Sequence, residues 1–357
     1  MVAAVSCRRR NDRDTLIDTQ STPLPRQAAV LQDDSGRVIN NLRISVTDRC
    51  NFRCRYCMPE EGMVWMEKSE LLSFEEIVRV ASLFAQLGIS KIRLTGGEPL
   101  MRKDLRLLVA KLVHLQGIRD LALTTNGFFL LDQALDLYNA GLRRINVSLD
   151  SLDQVKFNHM TRRDYYERVW RGLDAAETLG FGPIKINVVL IRGINEGEIG
   201  KFATLARARP FIVRFIEFMP IGADDGWTTE KVVTTREILQ TIERETGMRL
   251  LEVERHGNQP ADRYRFEDGR GEIGFISSVS EPFCESCNRI RITSDGKLRT
   301  CLFSLEETDL KRMVRGGARD EEILQTIQQA VWKKEPGHLI NRPEFVRPGR
   351  TMSQIGG

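Results

Sequence analysis

A chain of 357 residues, 41% of them hydrophobic, is long enough for one large domain or two ordinary ones with a sizeable core. The net charge of +4 is too small for a general nucleic-acid binder, but it leaves room for local basic pockets that bind an anionic small molecule. No apolar run approaches the roughly 20 residues of a membrane span, and we recognise no secretory signal before Arg8. We therefore predict a cytoplasmic metal protein, without nucleic-acid or membrane partners, since metal binding explains the cysteines of this chain better than disulfides do.

The N-terminal segment, residues 1–38, is polar and has neither helical nor strand periodicity. This composition predicts a disordered or loosely attached extension. A transit peptide is the alternative, but Asp12, Asp14 and Asp18 argue against it because such peptides are poor in acidic residues.

Residues 39–220 alternate between short apolar runs and helical patterns, mostly one β/α unit per 25 to 35 residues. Continuous apolar runs are typical of parallel strands buried on both faces. The six predicted strands are Leu42–Val46, Lys91–Thr95, Leu121–Thr125, Ile145–Leu149, Ile184–Leu190 and Ile212–Met219.

Two of the intervening helices have clear terminal signals. Ser73 and Glu76 form a capping box that predicts the start of one helix, and Gly88 predicts its end. Asp164 predicts the start of a second helix, which ends at Gly180. Six such units, with no glycine-rich phosphate loop after the first strand, favour an incomplete (β/α)6 barrel of the TIM type. A doubly wound sheet is the alternative.

Residues 221–357 follow a different pattern. Thr234–Glu245 and a segment near Glu321–Lys334 predict helices, and Arg263–Phe266 with Glu272–Ile276 predict a hairpin. We interpret this part as a smaller α+β region that closes the mouth of the barrel.

The most informative motif is Cys50-x3-Cys54-x2-Cys57, in the loop after the first predicted strand. A structural zinc site and an ordinary [4Fe–4S] cluster both need four protein ligands. Three thiolates therefore indicate a cluster with one iron open to a small molecule that offers an amino group and a carboxylate. A zinc knuckle is the alternative.

A second set, Cys284, Cys287 and Cys301, also provides three thiolates. A hairpin turn at Asp295–Gly296 would return Cys301 to the neighbourhood of Cys287. Zinc with a distant fourth ligand, His256 or Cys7, is the alternative.

Arg289 and Arg291 lie between these cysteines, two apart on a predicted strand, so they share a face about 7 Å apart. Arg43, Arg93 and Lys185 are cations inside otherwise apolar strands. A buried cation needs an anion, and guanidinium groups suit phosphate. Together they predict a phosphate pocket, with internal salt bridges as the alternative.

These motifs carry a family resemblance. Cys50-Asn-Phe-Arg-Cys54-Arg-Tyr-Cys57, followed by Gly96-Gly97-Glu98-Pro99 after the second strand, resembles the radical S-adenosylmethionine superfamily. With the distal cysteines, the string Cys287-Asn-Arg-Ile-Arg291 and the terminal Gly356-Gly357, the chain resembles the GTP 3′,8-cyclase family of molybdenum-cofactor biosynthesis from about residue 38 onward.

The resemblance implies two [4Fe–4S] clusters, S-adenosylmethionine and GTP. In that family a 5′-deoxyadenosyl radical takes the ribose 3′ hydrogen of GTP, and the resulting carbon radical attacks C8 of guanine. It also implies an external electron donor, a downstream cyclic pyranopterin monophosphate synthase as metabolic partner, and a homodimer or a monomer.

The resemblance assigns roles residue by residue. The cluster ligands are Cys50, Cys54, Cys57, Cys284, Cys287 and Cys301. The S-adenosylmethionine contacts are Tyr56, Gly97, Ser148 and Met219, and the GTP contacts are Arg43, Arg93, Thr124, Lys185, Arg289, Ile290 and Arg291, with Ile290 acting through its backbone. The catalytic group comprises Arg289, Arg291, Gly356 and Gly357. A peptide-modifying radical enzyme and a zinc-dependent binding module are the competing hypotheses.

Overall fold

The computed structural model describes residues 1, 30–61, 63–221, 226–254 and 261–356. The strands are β1 (Asn41–Ser45), β2 (Lys91–Thr95), β3 (Asp120–Thr125), β4 (Arg144–Ser148), β5 (Ile184–Leu190), β6 (Phe211–Glu217), β7 (Leu250–Val253), β8 (Asp262–Phe266), β9 (Glu272–Ile276), β10 (Arg289–Ile292), β11 (Lys297–Arg299) and β12 (Thr308–Asp309). The helices are α1 (Phe74–Gln86), α2 (Leu105–Val113), α3 (Leu130–Asn139), α4 (Gln154–Thr161), α5 (Tyr166–Thr178), α6 (Ile199–Ala208), α7 (Thr235–Thr246), α8 (Leu310–Arg315), α9 (Asp320–Trp332) and α10 (Met352–Ile355).

The strands form one open sheet in the order β12-β11-β10-β1-β2-β3-β4-β5-β6-β9-β8-β7. Strands β10, β1 to β6 and β9 pair in parallel, and the outer strands pair antiparallel. The incomplete barrel is therefore confirmed, and the doubly wound alternative is wrong. The C-terminal region does more than cover the barrel mouth, because β9 and β10 extend the parallel sheet at both sides. The division at residues 220 and 221 stays a prediction.

The inner face of the sheet differs from the prediction. Continuous apolar runs predicted strands buried on both faces, yet β5 alternates between buried Ile186 and half-buried Lys185 and Asn187. The buried residues pack in the main hydrophobic core, whereas the half-buried ones border a cavity. The barrel interior is thus open, unlike the filled layers of a complete TIM barrel.

Helix ends follow the sequence signals in most places. Ser73 accepts from the backbone N–H of Glu76 at the start of α1, and Thr234 does the same for Glu237 at α7. The predicted start at Asp164 is wrong, because the residue that caps α5 is Tyr165 and makes no side-chain capping bond. The Asp164 carboxylate instead accepts from Asn158 at 2.8 Å.

The predicted loose extension ends earlier than residue 38. Leu31 and Ile39 are buried, and Gln32 pairs with Val38 in an antiparallel bridge. Asp33 and Arg37 form a buried ion pair at 2.5 Å inside this turn. Burial of apolar and paired groups fixes residues 31–38 to the body of the protein, while residues 2–29, including Cys7, lie outside the described part. Among the described residues, no helix is long and apolar enough to cross a membrane.

Candidate active site

A cavity of about 690 Å³ fills the inside of the barrel. All six predicted cluster cysteines border it, as do most of the other predicted site residues: Tyr56, Gly97, Ser148, Met219, Arg43, Arg93, Thr124, Lys185, Arg289 and Arg291. Ile290 does not, because its side chain is fully buried in the core. Residues some 250 positions apart in sequence thus face one space.

The first cysteine set lies where β1 ends. Burial, followed by the charge of a neighbouring cysteine of the set, raises the pKa values of Cys54 and Cys57. Burial, reinforced by Glu98, raises the pKa of Cys50 to about 12. The backbone N–H of Phe52 and the Asn126 amide donate to the Cys50 sulfur at 3.4 and 3.9 Å. A bound metal cluster would supply the positive charge that buried thiolates need.

The glycine turn after β2 is fastened to the cysteine loop. Gly97 donates its N–H to Thr47 O at 2.8 Å, and Glu98 donates to Arg49 O at 2.7 Å. A Cβ on Gly97 would stand 2.4 Å from Arg49 O, so only glycine permits this approach. The backbone of Gly97 is therefore packed directly against the preceding loop of the chain.

Tyr56 and Asp150 connect the cysteine loop with the end of β4. The Tyr56 hydroxyl donates to Asp150 Oδ2 at 2.6 Å, and the Val189 N–H donates to Oδ1 at 2.8 Å. Burial raises the pKa of Asp150 to about 6. The hydroxyl of Tyr56 is therefore engaged within the protein, and only the rest of the residue is free to meet a ligand.

Ser148 ends β4, and Met219 follows β6 and packs in a smaller hydrophobic cluster with Phe303 and Ile355. Thr124, inside β3, accepts from the Asn146 amide at 3.2 Å. Ser148 and Met219, together with Tyr56, Gly97 and the first cysteine set, define what we call the upper half of the cavity, at the carboxyl ends of the strands.

The second cysteine set has cationic neighbours. Burial opposes ionisation of Cys287, but Arg289 and then Lys334 outweigh it and lower the pKa of Cys287 to about 6. Lys334 is buried and donates to Arg289 O at 3.2 Å, while Arg37 donates to Cys284 O at 2.9 Å. Cys287 and Cys301 both act electrostatically on Cys284, so the hairpin β10–β11 does gather the three sulfurs.

Six cations form what we call the cationic half of the cavity: Arg43, Arg93, Lys185, Arg214, Arg289 and Arg291. Burial, followed by repulsion from Arg214, lowers the pKa of Lys185 to about 7. Buried nitrogens of Arg43, Arg93 and Arg214 have no hydrogen-bond partner among the described residues. Unpaired buried cations are costly unless an anion completes them. The internal salt bridges that were the alternative are not found for these atoms.

The C-terminal tail reaches the cavity. Gly356 is buried with a φ of +84°, and a Cβ there would stand 2.9 Å from the Ser45 Cβ. Arg291 donates to Gly356 O at 2.6 Å. Gly356 thus contacts Arg291, whereas Gly357 lies outside the described residues.

Sequence reasoning missed three contributors. Arg214 is a cation inside the apolar strand β6, the same signal that identified Arg93, and it could have been found. Asp150 and Lys334 had no such signal, because a carboxylate after a strand and a lysine at a helix end are common on protein surfaces.

Among the described residues, no three His, Cys, Asp or Glu side chains converge on the position of a single metal ion. An iron–sulfur cluster instead spreads its thiolates over several irons. Two three-thiol sets on a partly buried cavity wall fit such clusters by donor chemistry, and the unpaired arginine nitrogens fit a phosphate chain.

Comparison with known proteins gives two family matches. Residues 44–206 match the family model of the Radical SAM superfamily, and residues 211–340 match the one named Molybdenum Cofactor Synthesis C.

The chain is 45% identical over 328 residues to the GTP 3′,8-cyclase of Thermodesulfovibrio yellowstonii, which covers 92% of this chain and 100% of the relative. It is 44% identical over 331 residues to the GTP 3′,8-cyclase of Streptomyces coelicolor, covering 92% and 97%. Among solved structures, Streptococcus suis SuiB bound to S-adenosylmethionine has a TM-score of 0.58 at 13% identity, over 87% of this chain and 76% of that one. At that identity the likeness concerns the fold alone.

Proposed function

The chain belongs to the GTP 3′,8-cyclase family, and from this premise we propose that it converts GTP to (8S)-3′,8-cyclo-7,8-dihydroguanosine 5′-triphosphate. This radical lyase reaction is the first step of molybdenum-cofactor biosynthesis. The observation that carries the proposal is the cavity itself, which joins two three-cysteine sets to a group of cations, three of which (Arg43, Arg93 and Arg214) have a buried nitrogen without a hydrogen-bond partner among the described residues.

The upper half of the cavity suits the radical source. Cys50, Cys54 and Cys57 would hold one cluster, and Tyr56, Gly97, Ser148 and Met219 would surround S-adenosylmethionine. When bound, the cluster and S-adenosylmethionine supply, by one-electron reduction, the radical that takes the 3′ hydrogen of the GTP ribose. The role of the protein is to position the ribose beside this source and to keep water away.

The cationic half suits the substrate. Arg43, Arg93, Lys185 and Arg214 offer charge-assisted hydrogen bonds to a triphosphate, and each is held by a strand of the sheet. Cations fixed on rigid strands lose little conformational entropy when the substrate binds. They would therefore fix the depth of GTP in the cavity.

Arg289 and Arg291 line the side of the cavity that carries the second cysteine set. That set would hold the other cluster beside the guanine base. The bond between Arg291 and Gly356 O makes the tail a candidate for ordering this arginine. Gly356 and Gly357 then act with the two arginines when the new bond to C8 closes.

The reaction needs an external one-electron donor, and its product would pass to a cyclic pyranopterin monophosphate synthase. The six described cysteines are free thiols, which suits the reducing cytoplasm. A homodimer or a monomer stays the prediction for the oligomeric state.

Anaerobic turnover with GTP, S-adenosylmethionine and dithionite tests the proposal. Mass spectrometry should detect 5′-deoxyadenosine together with a cyclised nucleotide that has the mass of GTP. Deoxyadenosine with GTP unchanged would contradict the cyclase and favour the peptide-modifying alternative. Zinc without sulfide after anaerobic purification would exclude both enzyme hypotheses.

A further inference from the structure

The cavity continues beyond the predicted site to the amino ends of the strands. Lys91 and Asp120, the first residues of β2 and β3, border it there, together with Arg144 of β4. Two further residues, Arg119 and the exposed Pro183, also border it. In a complete TIM barrel this end is filled by packed side chains. Here the cavity extends to the protein surface.

The residues at this end carry an excess of positive charge. Arg144 pairs with Asp120 at 2.5 Å, and Arg263 pairs with Glu272 at 2.7 Å. Arg265 approaches the same Glu272 at 3.9 Å. Lys91 and Arg119 have no ion-pair partner among the described residues. We call these four cations and two paired carboxylates (Lys91, Arg119, Arg144, Arg263, Asp120 and Glu272) the lower rim.

The opposite end is covered by the C-terminal tail. Ser353 lies against Cys57, and Gly356 fits between Ser45 and Thr95 where β1 and β2 end. Ile355 beside it is fully buried. A nucleotide that approached from the upper end would have to displace this buried segment.

The lateral side, between β10 and β9, is lined by side chains of the C-terminal region. Phe303 stacks edge-on with His338 at 5.4 Å, and Arg289 lies over the Phe283 ring at 4.7 Å. All four residues border the cavity. The lower rim is thus the end of the cavity without a covering segment in the described structure.

We propose that the nucleotide substrate enters and leaves through the lower rim, and that the rim cations steer its polyphosphate into the cavity. The inference rests on the proposed function for the identity of the nucleotide. A cleft lined by one sign of charge focuses its field and raises the association rate of a ligand of opposite charge. Arg93 and Lys185 lie one or two residues above the strand starts, so the phosphates would pass directly from rim to site.

The test measures the association rate of radiolabelled GTP with the anaerobic, cluster-loaded protein by rapid filtration. We expect Arg119→Glu to slow association about threefold or more at low salt, since two units of charge change beside a polyanion. The difference should shrink at high salt, because mobile ions screen the rim. Deoxyadenosine formation at saturating GTP should stay at the wild-type rate, since Arg119 is exposed and is not among the residues proposed to contact GTP.

Three variants complete the design. Arg119→Lys should keep the wild-type association rate, and Arg236→Glu, on α7 away from the cavity, makes the same change in net charge and should have no effect. Arg263→Gln leaves Glu272 without its closest cation at the rim and should slow association in the same direction as Arg119→Glu.

Two results would contradict the proposed entry of the nucleotide through the lower rim. One is an association rate for Arg119→Glu that equals the rate for Arg236→Glu. The other is a slowing that persists undiminished at high salt, which would indicate a change of shape. Failure of the proposed function is recognised separately, because the wild-type protein would then form no cyclised nucleotide.

Discussion

The two halves of the cavity differ in the charge of the side chains that surround their thiols. In the upper half, burial and acidic neighbours raise the pKa of Cys50 and of Cys57 to about 12. In the cationic half, Arg289 and Lys334 overcome burial and lower the pKa of Cys287 to about 6. Cys287 of the second set thus meets an environment opposite in sign to that of the first set, while burial still raises the pKa of its neighbour Cys284.

The difference matches the charge that each half would receive. S-adenosylmethionine brings a sulfonium cation, which suits an environment with Glu98 and Asp150 nearby, whereas GTP brings a polyanion. Segregating the two environments along one cavity gives each molecule a single favourable orientation. Substitutions that act on one half only would show whether the two halves also function separately.

The largest effect is expected from removing one thiol of each set. Cys54→Ala should abolish deoxyadenosine formation, because the radical source is lost. Cys284→Ala should abolish cyclisation while the first cluster and reductive cleavage of S-adenosylmethionine persist, with iron content roughly halved. Iron analysis, electron paramagnetic resonance and mass spectrometry of both products measure these outcomes. Loss of both clusters from Cys284→Ala would mean that the second set is structural.

Gly97→Ala should act on the upper half alone. The new Cβ would collide with Arg49 O and push the glycine turn away from the cysteine loop, at a cost of about 1–3 kcal/mol of stability. We expect deoxyadenosine formation to fall roughly tenfold or more, as for displaced catalytic groups, with GTP affinity unchanged.

Gly197→Ala is the matched control, since nothing lies within 4 Å of its added Cβ and its backbone is not left-handed. An equal loss of deoxyadenosine formation in both variants would show that the close packing of Gly97 on Arg49 is irrelevant.

The pH dependence of GTP binding tests the role of Lys185 in the cationic half. Its pKa is lowered to about 7 in the free protein, and phosphates should raise it again, so GTP binding above pH 7 takes up a proton. The dissociation constant of GTP should be flat below pH 7 and rise above it, by up to about tenfold per pH unit. Isothermal titration calorimetry in buffers of different ionisation enthalpy measures both the constant and the proton.

Substitutions at Lys185 sharpen this result. Lys185→Met should weaken GTP binding below pH 7 by about 1.5–3 kcal/mol, the contribution of a hydrogen bond to a charged group, and should remove the proton uptake. Lys185→Arg should bind without pH dependence in this range. An unchanged pH profile in the methionine variant would assign the titration to another group.

The lowered pKa of Lys185 also makes the stability of the nucleotide-free protein depend on pH. The pKa of Lys185 is about 7 in the folded protein, against the ordinary lysine value of 10.5 that applies to the unfolded chain. Between these two values the folded state binds fewer protons than the unfolded state. The contribution of Lys185 to the free energy of unfolding therefore rises with pH over that window.

The sequence predicted the six barrel strands and the chemistry of both cysteine sets because these depend on local signals. Lys91–Thr95 and Ile184–Leu190 coincide with the observed strands, since apolar runs bounded by turns are visible in one dimension. The cations of the cavity follow the same rule, because a charged residue inside an apolar run, such as Arg214 in β6, is also visible in one dimension.

What the sequence could not predict depends on distant contacts. The anchoring of residues 31–38 rests on Arg37, which donates to the carbonyls of Cys284 and Pro336, 247 and 299 positions away. The hydrogen bond between Tyr56 and Asp150 likewise forms only when the sheet has formed. The same holds for the position of the Lys334 cation beside Cys287. Periodicity and capping signals carry no information on such pairs.

The smallest effect is expected from Tyr56→Phe, which removes a single hydroxyl from the upper half. Asp150 Oδ2 then loses its 2.6 Å donor while Oδ1 keeps the Val189 N–H, so we expect a stability loss of about 1–2 kcal/mol. Because the cysteine loop is held less firmly, the KM for S-adenosylmethionine should rise several-fold, with the GTP dissociation constant unchanged.

Tyr166→Phe is the control, since its hydroxyl donates to Leu152 O at 2.8 Å outside the cavity. It should lose similar stability without any change in the KM for S-adenosylmethionine. If Tyr56→Phe changed GTP affinity as much as the KM, the two halves would be mechanically coupled through the cysteine loop. Their electrostatic separation would then describe charge alone and not independent function.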